Sequence, residues 1–286
     1  MASSISESIQ NIVSIGFNFT RSDYKTVVLL SSVYGIMAGA RSSLTSDILC
    51  FVWIWLYLLQ FCTANQVFSG DEDAMNKPYR PIPAGLISVR NTWILRWTLV
   101  PICSALSWYL DVTLAGLSLT VSFILYNELG FHAYFYSKNI LNAIGIVSWN
   151  VGAAQILHKD NLSPHMRIAT FLSIMLIFTT IHAQDFRDEA GDRKLGRITF
   201  PVVFPVWSRR ITSALLLAWT LGLTTMWRLN YLLAISFVVL GSYTAVRILT
   251  DKSEAASKVS LRLYMLWLSI AQILPFTLNE VSQVAY

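Results

Sequence analysis

Apolar residues run in long blocks along this 286-residue chain, and the polar ones gather between the blocks. Blocks long enough to cross about 30 Å of hydrocarbon as helices fall near residues 25–41, 44–63, 92–110, 112–127, 139–157, 166–184, 210–227, 229–249 and 260–279. Pro101 and Pro275 lie inside such blocks, which membrane helices tolerate. The pattern predicts an all-α fold, a polytopic membrane bundle of about nine transmembrane helices forming one domain over residues 1–286. Ahead of the first block, Ile5, Ile9, Ile12 and Phe17 recur at helical spacing. That spacing predicts an interfacial helix within a cytoplasmic N-terminal segment, residues 1–24.

Composition agrees with lipid as the solvent. Hydrophobic residues make up 55% of the chain and charged ones 13%, whereas a soluble domain carries about 25% charged residues. Charge also tests the count of crossings. With nine spans and a cytoplasmic amino terminus, seventeen of the 21 lysines and arginines fall on the cytoplasmic side, leaving Arg41, Lys159, Arg167 and Arg228 opposite; the positive-inside rule expects such a bias. The carboxyl terminus then lies outside. No dense basic run is interleaved with polar loops, so nucleic acid is excluded as a partner, and no protein partner is inferable. Cys50, Cys62 and Cys103 lie in or beside apolar blocks without metal-ligand spacing, and read as small buried hydrophobes. The four histidines are scattered and suggest no zinc site. A transporter would place ionisable residues within its spans; here the span middles are nearly free of charge.

The two longest connections, roughly 64–91 and 185–209, both fall on the cytoplasmic side and are acidic and basic at once. The second begins Asp185-Phe-Arg-Asp188-Glu-Ala-Gly-Asp192. On an α-helix continuing from the sixth span, Asp185, Asp188 and Asp192 share one face and Arg187 points elsewhere. Three clustered carboxylates call for a cation, and Mg2+ is suited to bridging carboxylates and substrate phosphates. The first loop begins Asn65-Gln-Val-Phe-Ser69-Gly-Asp71-Glu72-Asp73, and Asn65, Ser69 and Asp73 are spaced by four along one helical face. These eight residues, Asn65, Ser69, Asp71, Glu72, Asp73, Asp185, Asp188 and Asp192, are the expected metal ligands. Lys77, Arg80, Arg193, Lys194 and Arg197 follow the acids closely and are suited to phosphate oxygens; Lys138 could reach in from the next cytoplasmic turn. Asn65 and Asp185 stand 120 residues apart, and each loop closes on basic residues and a proline, which reads as a weak internal duplication.

The chain resembles the UbiA superfamily of intramembrane prenyltransferases. The resemblance rests on the full DxxDxxxD motif at Asp185, Asp188 and Asp192, on the following Gly191-Asp-Arg-Lys-Leu-Gly-Arg-Ile-Thr-Phe-Pro, and on Asn76-Lys-Pro-Tyr-Arg-Pro-Ile-Pro. Phe19-Thr-Arg-Ser-Asp-Tyr-Lys is similar to fungal members. The first motif departs from the family form NDxxDxxxD: Asn65 and Asp73 are kept, while Gln66 and Ser69 stand where the family has aspartates. In this it looks like the fungal UbiA-type sesquiterpene cyclases. The resemblance implies nine helices, Mg2+ held by two loops, and an isoprenoid diphosphate substrate, with farnesyl diphosphate preferred. Asp73, Asp188 and Asp192 would be the catalytic carboxylates. Aromatic faces would stabilise the carbocation; Tyr126, Tyr134, Tyr136 and Trp149 are candidates. Two activities stay open, a terpene cyclase in which the substrate's own double bond attacks the cation, and a prenyltransferase to an aromatic or other acceptor. The endoplasmic reticulum is the expected membrane.

Overall fold

The computed structural model describes residues 13–39, 43–70, 73–74, 77–159 and 163–277. Among them the fold is all-helical. Residues 13–20 form α1; residues 1–12, with Ile5, Ile9 and Ile12 of the expected interfacial helix, lie outside the described ones. A π-helical turn at Lys25–Leu29 leads into α2 (Leu30–Met37), followed by α3 (Leu44–Phe68), α4 (Val89–Tyr109) and α5 (Thr113–Phe123), which runs on as a π-helical turn, Ile124–Glu128. Next come α6 (Phe135–His158) and α7 (Pro164–Thr180), continued by a 3-10 segment, Ile181–Arg187. The short α8 (Glu189–Lys194) and α9 (Phe200–Val203) precede α10 (Ser208–Met226), α11 (Tyr231–Thr250) and α12 (Glu254–Ile273).

Side-chain caps start most of the long helices. Ser43, Ser88, Ser163 and Ser253 each accept a hydrogen bond from the backbone N–H three residues on, and Asn230 does the same for Leu233. Each cap satisfies one of the donors that a helix start leaves open. Helical stretches fall on all nine apolar blocks, but among the described residues five of them are long and apolar enough to cross a membrane: Leu44–Phe68, Phe135–His158, Pro164–Arg187, Tyr231–Thr250 and Glu254–Thr277. Their outward faces are greasy; Ile48, Ile168, Phe171, Leu232, Ile235 and Leu266 are all exposed, as helices solvated by lipid require.

The helices fall into two compact units, residues 1–129 with 148–160 and residues 130–147 with 161–286. In the first, Trp53 and Tyr57 of α3 are fully buried. The Trp53 indole donates to Ser107 Oγ of α4 at 2.9 Å, and the Tyr57 hydroxyl shares that oxygen at 2.9 Å. Gly116 of α5 lies against the same pair and Gly152 of α6 against the Trp53 ring; a Cβ at either would collide. The second unit repeats the device. The Trp267 indole of α12 donates to Thr220 Oγ1 of α10 at 2.9 Å, and Gly241 of α11 admits that threonine. Lipid tails are as apolar as leucine, so close approach at small residues and interhelical hydrogen bonds, each worth roughly 0.6 kcal/mol, hold such helices together.

Candidate active site

In the first unit the motif sits at the end of α3. Just past the end of that helix at Phe68, the Asp73 N–H donates to the Ser69 carbonyl at 2.8 Å. Ser69 and Asp73 are therefore brought together as their spacing predicts, and Ser69 Oγ donates to Asp73 Oδ2 at 2.7 Å. Asp73 is buried, and its two oxygens accept Arg80 Nη1 at 2.7 and 2.6 Å. Arg80, expected as a diphosphate ligand, is thus buried against the carboxylate, and among the described residues its buried Nε meets no hydrogen-bond partner. Lys77 is half-buried beside it. Asp71 and Glu72, expected as metal ligands, lie outside the described residues.

Gln66 explains how the altered motif is accommodated. It is buried, and its Nε2 donates to the Phe19 carbonyl at 2.9 Å. Arg21 lies over the Tyr79 ring at 5.2 Å, and Ser22 Oγ meets the Tyr79 hydroxyl at 2.9 Å. The segment ahead of the first apolar block is thereby tied to the first loop at both of its ends.

Three neighbours of this loop were not among the expected site residues. Asn65 Nδ2 donates to Asn127 Oδ1 at 3.3 Å, and Asn127 Nδ2 donates to the Phe123 carbonyl at 3.2 Å. Glu128, next in the π-helical turn, accepts Arg96 Nε at 2.8 Å. Arg96 had been placed among the cytoplasmic basic residues. It is the eighth residue of α4 and has no exposed side-chain surface. An arginine within an apolar block is itself the signal that could have found it.

In the second unit the expected single α-helical face is corrected. After Thr180 the chain tightens to a 3-10 segment through Arg187, and Asp188 is the N-cap of α8. The three carboxylates of this motif differ in burial. Asp185 and Asp192 are buried. Asp188 has half of its side chain exposed and is held by Arg187 through Nε at 2.9 Å and Nη2 at 2.7 Å. Arg187 therefore does not point away from the cluster. Thr180 marks the switch: its hydroxyl bonds to the Leu176 carbonyl at 2.6 Å and meets the Tyr264 hydroxyl at 3.0 Å.

Two of the expected cations sit on the buried acids. Lys138 Nζ bonds to Asp185 Oδ1 at 2.5 Å, and Arg197 Nη1 to Asp192 Oδ1 at 3.1 Å. Gly196, at φ +67°, turns the chain so that the Arg197 N–H also meets the Asp192 carbonyl at 3.0 Å; this left-handed conformation favours glycine. Arg193 reaches Glu189 at 3.3 Å, and Lys194 is exposed. His182, dismissed with the other histidines, is buried: Nε2 meets Thr212 Oγ1 at 2.7 Å, and Nδ1 meets Asn139 Nδ2 at 3.3 Å.

The aromatic candidates separate. Tyr126 packs on Phe61 at 5.6 Å, and buried Trp149 on Phe123 at 5.5 Å; Phe61 and Phe123 touch at 5.2 Å, so these four rings form a chain one turn below Asn65. Tyr134 and Tyr136 stack on each other at 5.8 Å and are exposed.

The donor set suits Mg2+. Asp185 Oδ2 and Asp192 Oδ2 are buried and have no protein hydrogen bond, which is costly for a carboxylate oxygen unless a cation or water meets it. Among the described residues no three acidic, histidine or cysteine side chains gather closely enough to hold a metal alone. Mg2+ commonly takes only one or two carboxylates and completes its shell with waters and substrate phosphates.

The sequence pattern of the UbiA prenyltransferase family matches residues 28–270. The chain belongs to that family. As a UbiA protein it is an integral membrane enzyme. It is 31% identical over 262 residues to fumagillin beta-trans-bergamotene synthase of Aspergillus fumigatus, covering 90% of each chain. It is 27% identical over 266 residues to a polyprenyl transferase of Hericium erinaceus, covering 89% of this chain and 90% of the other. Its fold superposes on that of a UbiA homolog from Archaeoglobus fulgidus, determined bound to GPP and Mg2+, with a TM-score of 0.65 at 16% identity over 91% of this chain and 99% of that one.

Proposed function

We propose that this UbiA protein is a Mg2+-dependent terpene cyclase that converts farnesyl diphosphate to a cyclic sesquiterpene and diphosphate, with the whole chain working as one domain. The observation that carries the choice is the likeness to the bergamotene synthase across nine-tenths of both chains. The altered first motif fits it, since Gln66 is turned to the Phe19 carbonyl and Ser69 to Asp73. We place the enzyme in the endoplasmic reticulum, crossing the membrane nine times with a cytoplasmic amino terminus.

In this reading each motif is a source of ligands for metal-bound diphosphate. Mg2+, when bound, neutralises the leaving group as its carbon–oxygen bond breaks. Asp185, Asp188 and Asp192 would hold metal ions at the second motif, the first and last of them through their unused oxygens, and Asn65, Ser69, Asp71, Glu72 and Asp73 would do so at the first. Lys77, Arg193 and Lys194 meet phosphate oxygens directly. Lys138 and Arg197 hold Asp185 and Asp192 in place, as Arg80 holds Asp73, and their positive charges would favour the diphosphate alongside. Diphosphate departs with the bonding electron pair. The allylic cation meets the faces of Tyr126, Phe61, Phe123 and Trp149, the distal double bond closes the ring, and a proton is lost.

The likeness to the polyprenyl transferase favours a second reading, transfer of the isoprenyl group to an acceptor. One assay separates them. Membranes carrying the protein receive farnesyl diphosphate and Mg2+ without acceptor, and volatile hydrocarbons are analysed. A cyclic sesquiterpene is expected. Product formed only when an acceptor is added would establish the transferase instead, and no consumption of any isoprenoid diphosphate would end both readings.

A further inference from the structure

The amide of Asn127 is hydrogen-bonded at both ends, and this determines which way the amide of Asn65 faces. A backbone carbonyl can only accept, so the Asn127 atom that meets the Phe123 carbonyl at 3.2 Å is its Nδ2. Its Oδ1 is then the atom turned to Asn65. Only Nδ2 of Asn65 can donate to that oxygen, at 3.3 Å. The oxygen of Asn65 is left on the opposite side of its amide, as an acceptor.

The turn that presents Asn127 is unusual and firmly held. Residues Ile124–Glu128 are π-helical, a local widening that recurs at functional sites. Glu128, the next residue, is gripped by Arg96, whose side chain is fully buried. A second contact ties α4 to the motif: Trp93, one turn before Arg96, packs edge-on against Phe68 at 5.4 Å, directly ahead of Ser69.

We propose that Asn127 is a positioning residue that fixes the Asn65 amide with its oxygen toward the bound metal, and that the Arg96–Glu128 pair locks the π-helical turn carrying it. The proposal rests on the reading of Asn65 as an oxygen ligand. Partners of this kind fix the orientation of a metal ligand, and losing one costs about 10–100-fold in metal affinity. It also bears on the missing aspartates: with Gln66 and Ser69 in their places, a correctly turned Asn65 oxygen carries a larger share of the first motif's ligation.

The test measures metal binding, not turnover. Purified full-length protein in detergent is titrated with Mn2+ in the presence of inorganic diphosphate, and free Mn2+ is read by electron paramagnetic resonance. Asn127→Ala is expected to weaken Mn2+ binding about tenfold. Asn127→Leu, which fills the same volume without an amide, is expected to do the same, and it serves in place of the alanine variant should that one fail to fold. Asp at position 65 has no donor to orient, so removing Asn127 in an Asn65→Asp background should cost nothing further. Unchanged Mn2+ binding in both Asn127 variants, or an equal loss in the two backgrounds as a purely structural role would give, overturns the inference. A wild-type protein that binds no Mn2+ with diphosphate removes the metal reading itself, and the inference with it.

Discussion

At the scale of single residues, burial separates side chains that look alike in sequence. Asp192 and Asp188 belong to one motif, yet Asp192 is 3% exposed with an oxygen to spare, while Asp188 is half exposed and held by Arg187. Asp192→Asn keeps the shape and removes the charge. Its partner Arg197 is partly exposed and can be hydrated, so the fold should tolerate the change. Turnover should fall about 10²–10³-fold, the size of losing a preorganised charge stabiliser, with a nearly unchanged melting temperature. Near-wild-type turnover would take Asp192 out of the mechanism. Gln66→Asp tests the other motif. It restores the family's residue type at a site 1% exposed whose amide now donates to the Phe19 carbonyl. A carboxylate cannot donate there and faces that carbonyl with negative charge. The variant should lower the melting temperature and not create a transferase; acceptor-dependent product from it would show that Gln66 alone sets the reaction type. The acids were legible in the sequence because their spacing is local. Asn127, Arg96 and His182 were not, because each draws its meaning from a partner at least thirty residues away.

At the scale of elements, the sequence period located the helices but not their changes of pitch. Helical stretches fall on the predicted apolar blocks, since burial in lipid or in neighbouring helices asks for long apolar runs. The shift to 3-10 geometry after Thr180 and to a π-helical turn after Phe123 leaves no trace in hydrophobic pattern. Both shifts occur where a motif residue or its partner must be turned. The π-helical turn depends on Arg96 and Glu128, and removing one charge strands the other. Arg96→Met leaves a carboxylate 12% exposed without its cation, a change expected to cost about 3–5 kcal/mol. The double variant Arg96→Met with Glu128→Leu removes both charges and should recover most of that stability. Thermal unfolding in detergent compares the two; a double variant as unstable as the single one would show that the pair does more than neutralise itself.

At the scale of the whole molecule, the open quantity is the number of crossings, and the two ways of counting disagree in a measurable way. Nine apolar blocks and the distribution of basic residues argue for nine spans, whereas among the described residues five helices are long and apolar enough to cross by themselves. The shorter or more polar stretches, such as α4 with its buried Arg96, would need neighbours to satisfy their polar groups. Arg90 and Arg228 are both exposed at helix ends. Under nine spans, five crossings separate them and they face opposite sides. Under five spans, only Phe135–His158 and Pro164–Arg187 intervene, and they face the same side. The three native cysteines are buried, so single cysteines introduced at 90 and 228 can be read against a low background. In sealed vesicles of known orientation, a membrane-impermeant maleimide should label Arg90→Cys from the cytoplasmic side and Arg228→Cys only from the other. Labelling of both from one side would reduce the count, and with it the argument that the basic residues of both motifs share the cytoplasmic face.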